Sequence, residues 1–99
     1  MAASDADARR ELARDCALAG IDAAHPATVV REEIALNGGR LRIGEATIDR
    51  DDYDEVVVLG GGNAASQVAA ALEDVLGDAL ASGVVVTDDP AETERVDVL

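Results

Sequence analysis

The stretch "VVVLGGGNAASQVAAALEDVLG", from Val56 to Gly77, decides the fold of this chain. Val56, Val57, Val58 and Leu59 form an unbroken apolar run, which reads as a strand buried on both faces of a parallel sheet. Three glycines follow. From Asn63 onward, Val68, Leu72, Val75 and Leu76 recur at helical spacing, and Gly77 supplies the stop. A second apolar run, Val84-Val85-Val86-Thr87, comes after a short loop. Strand, helix and strand within a few dozen residues make a βαβ unit, expected over residues 55–88. The glycines raise the functional question. Gly60-x-Gly62-x-x-Ala65 fits the dinucleotide pattern in its G-x-G-x-x-A form. A loop without Cβ atoms lets free N–H groups at a helix start face an anion. The same glycines could equally serve as a turn that packs a helix on a sheet. Asp88, just after the second strand, is the candidate acidic partner of a ribose, although it lies later than usual. The phosphate-loop pattern ending in Gly-Lys-Ser/Thr is absent.

Outward from this unit the chain reads as two helices and a hairpin. Ser4 and Asp7 resemble a capping box. Behind them, Ala8, Leu12, Cys16, Ala19 and Ala23 fall on one helical stripe, which places Cys16 in a buried seam rather than at a reactive site. His25-Pro26 breaks that helix, and Pro26 opens a second one, "PATVVREEIAL". The two helices are expected over residues 5–36, with the lone histidine, His25, as a junction residue. Asn37-Gly38-Gly39 ends the second helix. Leu41 and Ile43 alternate with Arg40 and Arg42, and Gly44-Glu45 turns the chain into Ala46-Thr47-Ile48, a β-hairpin over 40–49. The acidic run Asp49 to Glu55 reads as a solvated connector, not a metal site, because a run in a loop does not converge its oxygens.

Composition narrows the class. The 99 residues suit one small domain, and 48% apolar content argues against disorder. Tyr53 is the only aromatic residue, so the core lacks large anchors and is expected to lean on further chain or a partner subunit. The apolar ending "ERVDVL" reads as a truncation. Eight arginines and no lysine stand against 21 acidic residues, a net charge of −13. Such a surface repels nucleic acid and anionic membranes, and its balance is that of an extreme halophile's protein. A single cysteine excludes an internal disulfide. With no spanning or signal segment, the expected location is the cytoplasm.

The order of these features resembles the N-terminal part of the type-2 glycerate kinases, the MOFRL family, also labelled hydroxypyruvate reductases. The segments that carry the resemblance are "DARRELARDCALAGIDAAHPATVVREEIAL", "LRIGEATID" and "YDEVVVLGGGNAASQVAAALEDVLGDALASGVVVTDD". The resemblance implies a Rossmann-like α/β segment of a larger two-domain protein. It implies ATP and Mg²⁺ as cofactors, glycerate as substrate, and a cleft completed by the remaining C-terminal domain or a partner subunit. Gly60, Gly61, Gly62, Asn63 and Ala64 then correspond to the phosphate-proximal loop. Asn63 stands where the family places a lysine, and it is the departure that matters for catalysis. The competing readings are a dinucleotide-binding reductase module and a non-catalytic interaction domain.

Overall fold

A computed structural model describes residues 2–99 of the chain, with side chains from residue 5 onward. Helix α1 spans Ala2–Ala24 and α2 spans Pro26–Glu33. Strands β1 (Ile34–Asn37), β2 (Arg40–Ile43) and β3 (Ala46–Asp49) form one antiparallel sheet in the order β1-β2-β3. Then β4 (Val56–Gly61), helix α3 (Ala65–Leu76), β5 (Leu80–Val86) and β6 (Val96–Val98) build a second sheet. This second sheet is parallel, in the order β4-β5-β6, and α3 packs against one of its faces. The architecture is α/β with a Rossmann-like βαβ unit, as the sequence indicates.

The core follows from that packing. Leu80 and Val85 of β5, Val96 of β6, Ala69 and Leu76 of α3, Ala79 and Leu41 form the buried cluster. Burial of each leucine or valine is worth about 1.5–3 kcal/mol. Small residues on α3 let it sit close to the sheet, which compensates in part for the missing aromatics. Gly83 is the tightest point. A Cβ built there would stand 2.5 Å from the Val58 carbonyl oxygen and 3.1 Å from Val96, so only glycine fits between β4 and β6.

Several expectations change in the folded chain. The second helix stops at Glu33, and Ile34-Ala35-Leu36-Asn37 pairs with β2 as a strand, with Leu36 opposite Leu41. The hairpin is thereby a three-stranded sheet. The pairing gives β-branched Ile34 a ladder partner, Ile43, and brings Ile34 and Leu36 against the core. Arg42, which looked like an outward strand residue, donates to the carbonyls of Glu32, Glu33 and Gly44 at 3.1, 3.3 and 3.2 Å. A cation thus closes the carbonyl end of α2, where the helix dipole favours it. His25 is the cap at the other end, its Nδ1 accepting from the Ala27 N–H at 3.2 Å. The capping contact expected of Ser4 lies outside the described side chains, and α1 already begins at Ala2.

Two burial expectations are overturned. Cys16 is exposed, as is every described side chain of α1, because no other described element covers that helix stripe. Strand β4 is covered on one face only. Val56 and Val58 face α3, whereas Val57 and Leu59 are 44% and 76% exposed.

Strand β6 is held by polar fastening rather than by bulk. The Glu73 carboxylate on α3 accepts from the backbone N–H groups of Glu94, Arg95 and Val96 at 2.8–2.9 Å. Arg95 in turn donates to the Leu80 carbonyl at 3.0 Å and to Asp78 at 2.6 Å. Burial pushes the Glu73 carboxyl up, but the three N–H donors and the Arg95 charge outweigh it and hold the group below its ordinary 4.5.

Two measurements test this account. Gly83→Ala is expected to destabilise by about 1–3 kcal/mol in urea unfolding, the usual cost of overpacking. Gly20→Ala, in open space on α1, is expected to stabilise instead, since alanine favours a helix interior by about 1 kcal/mol. For Glu73, a depressed native pKa means stability that is present above 4.5 and lost as pH falls through the lowered native value. Glu73→Gln is therefore expected to be less stable than the parent at neutral pH, with the difference shrinking on acidification. A pH-independent difference between the two unfolding curves would contradict the assignment.

Candidate functional site

The glycine stretch divides differently from its sequence pattern. Gly60 and Gly61 are ladder residues of β4, in register with Val85 and Val86, so they belong to the strand and not to the loop. The parallel ladder continues because neither glycine needs a special backbone there. The turn proper is Gly62, Asn63 and Ala64. Gly62 has φ +125°, a conformation that side chains rarely adopt, and its N–H is tied to the Val86 carbonyl at 3.0 Å. All three are exposed at the carboxyl end of β4.

This geometry leaves donors free. Among the described residues, the N–H groups of Asn63 and Ala64 meet no acceptor, and no side chain caps the start of α3. Ala65 and Val68 donate to the carbonyls of Gly62 and Ala64. Free N–H groups at the positive end of a 12-residue helix form the kind of place an anion occupies. The loop therefore suits a phosphate in shape and donors. It offers no cation. The Asn63 side chain is neutral, and its hydrogen-bonding amide has no partner among the described residues.

Thr87 and Ser66, which the sequence did not single out, fix the loop against the end of β5. The Thr87 hydroxyl reaches the Asn63 carbonyl at 3.5 Å and accepts from the Asp89 N–H at 3.1 Å. Ser66, fully buried, donates to the Asp89 carbonyl at 2.6 Å. Their signal in the sequence was a hydroxyl just after the second apolar run and another four residues past the last glycine, which is too common to stand out. Through Thr87 the structure brings exposed Asp88 to the same end of the sheet as Gly62 and Asn63.

Beside the loop lies a cleft of about 480 Å³ between β4 and α3, lined by Val58, Gly60, Gly62, Ala64, Val68 and Leu72 among others. Its walls are aliphatic, with backbone as the polar lining at one end. A second cleft of about 490 Å³ is formed by Glu73, Asp74, Asp78, Glu92, Glu94 and Arg95. Its carboxylates exclude an anion, so the two concave regions differ sharply in chemistry. No group of three or more His, Cys, Asp or Glu side chains among the described residues could hold a metal ion. No described helix is long and apolar enough to cross a membrane.

Known proteins fix the family. Residues 12–99 match a family described as a domain of unknown function, DUF4147. The chain belongs to the DUF4147 family. This is the N-terminal domain of MOFRL-family glycerate kinases, and it is typically found in glycerate-kinase-like proteins. The crystal structure of the PH0495 protein from Pyrococcus horikoshii OT3 superimposes on 91% of the chain with a TM-score of 0.76 and 26% identity. The DUF4147 chain spans only 20% of that protein's length. None of the curated proteins matches it.

The tie between the loop and β5 is testable. Ser66→Ala leaves the Asp89 carbonyl without its buried donor and is expected to cost about 1–3 kcal/mol. Amide exchange at Gly62 and Ala65, whose N–H groups are bonded to the Val86 and Gly62 carbonyls, should quicken in that variant while the β5 ladder stays protected; an equal change in both would refute the local role of Ser66.

Proposed function

We propose that this DUF4147 chain is the N-terminal portion of a glycerate kinase, and that the Gly62–Ala64 turn is its phosphate-proximal loop. The observation that carries the reading is the pair of free N–H groups, on Asn63 and Ala64, at the uncapped start of α3. In this reading the chain supplies positioning. The two N–H groups and the Asn63 amide orient phosphate oxygens of ATP, while a hydroxyl of glycerate attacks the γ-phosphoryl group. Phosphoryl transfer also demands neutralisation of charge on the transferring group. This loop does not meet that demand, since Asn63 replaces a lysine and Asp88 stands nearby. The described carboxylates form no Mg²⁺ cluster, so no step is assigned to the metal here. Cationic groups are left to the remaining C-terminal domain or a partner subunit, which makes the 99-residue chain inactive alone.

One observation favours a second reading. Asp88 sits at the end of the strand that follows the glycine turn, where dinucleotide-binding folds place their ribose-binding acid. A reductase acting on hydroxypyruvate with a nicotinamide cofactor is the corresponding activity.

Assays of the complete protein with ATP, Mg²⁺ and glycerate, against NADH and hydroxypyruvate, separate the two. They belong at molar KCl as well as low salt, because a net charge of −13 repels itself unless screened. Phosphorylated glycerate is the expected product; NADH oxidation without it would overturn the kinase reading. At the loop, Asn63→Lys is expected to tighten ATP binding about tenfold in calorimetry, worth ~1.4 kcal/mol. Unchanged affinity would remove Asn63 from the phosphate site.

A further inference from the structure

The chain carries two apolar surfaces that nothing among the described residues covers, and their chemistries match. The first is the face of the parallel sheet opposite α3. Register places Leu59 beside Val84 and Asp97, and Gly61 beside Val86. Leu99 extends the same edge, its N–H bonded to the Val85 carbonyl and its own carbonyl to Thr87. Leu59, Val84, Val86 and Leu99 are 76%, 38%, 58% and 71% exposed. Contiguous apolar area of this kind marks an interaction site rather than ordinary surface. The one charge in register with it is the carboxylate of Asp97.

The second surface is on α1. Arg10, Arg14, Ala17, Leu18 and Ile21 fall at i, i+4, i+7, i+8 and i+11, on one side of the helix. Leu18 and Ile21 are 47% and 63% exposed. This stripe is aliphatic at one end; at the other Arg10 faces Asp7 at 4.0 Å and Arg14 supplies the cation nearest the aliphatic residues. It uses two of the eight basic residues in an otherwise acidic chain.

The helix cannot reach its own sheet face. A single residue, His25, joins α1 to α2, and its ring caps α2 while its N–H bonds Asp22. α2 packs on α3, which covers the other side of the sheet. α1 therefore projects: the chain extends 66 Å along its long axis and has a radius of gyration of 18.4 Å, against about 13 Å for a compact chain of 100 residues.

We propose that the open sheet face receives α1 of a second copy of this chain, reciprocally, so that two copies bury each other's helix. Leu18 and Ile21 cover Leu59, Val84 and Val86, and Arg14 meets Asp97. A three-stranded sheet is about 14 Å wide at the usual strand spacing, enough to seat one helix of about 10 Å diameter. The proposal stands independently of the kinase reading.

Sedimentation of the 99-residue chain tests it. The expected result is a dimer that Leu59→Asp and Ile21→Asp each weaken, with circular dichroism unchanged because both positions are exposed. An equimolar mixture of the two variants regains one intact helix-to-face contact. It should associate about tenfold more tightly than either variant alone. A monomeric parent chain would overturn the proposal and leave the face to another partner. So would a mixture that shows no rescue, since helix-to-helix and face-to-face dimers predict none.

Discussion

The close approach of β4 to β5 at Gly83 is the constraint on which the rest of the molecule depends. With no side chain at that point, the Val58 carbonyl comes near enough that even a Cβ would overlap it. The parallel ladder then runs unbroken from Val57 to Gly61. That ladder fixes where the glycine turn begins and where α3 must start. It also sets Thr87 against Asn63, so the end of one strand holds the loop at the end of the other. A single residue without volume thus governs both the core and the candidate site.

The core that grows around this contact is built from small and medium aliphatic residues. It has no large aromatic anchors, and polar fastening takes over part of their task. Glu73 gathers three backbone donors and pins β6, Arg95 bridges that turn to Leu80 and Asp78, and Arg42 closes α2. Such contacts act at distance and tolerate gaps that a thin apolar core leaves. They also make the molecule sensitive to protonation in a way that leucine and valine are not. The exposed helix α1 and the bare sheet face belong to the same picture, since their apolar side chains stay exposed.

At the functional end, the chain belongs to the DUF4147 family, found in glycerate-kinase-like proteins, and its glycine turn sits at the uncapped start of α3. The turn offers directed N–H groups but no positive charge. In the proposed reading, shape and charge, which usually coincide in phosphate loops, are separated between this chain and whatever completes it. Asn63 is where that separation is visible, because an amide can orient an oxygen without neutralising it.

The sequence alone determined the βαβ unit, since four consecutive apolar residues, a glycine run and a helical repeat admit few other arrangements. It also determined the joint at His25-Pro26, because proline excludes the helical backbone before it. The third strand of the small sheet escaped it: Ile34 to Leu36 carries helical periodicity and β-branched content together, and only pairing with Leu41 and Ile43 decides between them. Periodicity likewise promised burial for Cys16 and for both faces of Val56–Leu59. A repeat shows which side chains share a face, however, and not whether another element arrives to cover it. The division of the glycines between strand and turn, the capping by Arg42, and the convergence of Thr87, Ser66 and Asp88 on the loop were likewise tertiary decisions. They depend on distances between separate segments, such as the 9 residues between Glu33 and Arg42 and the 23 between Ser66 and Asp89, which no local pattern encodes.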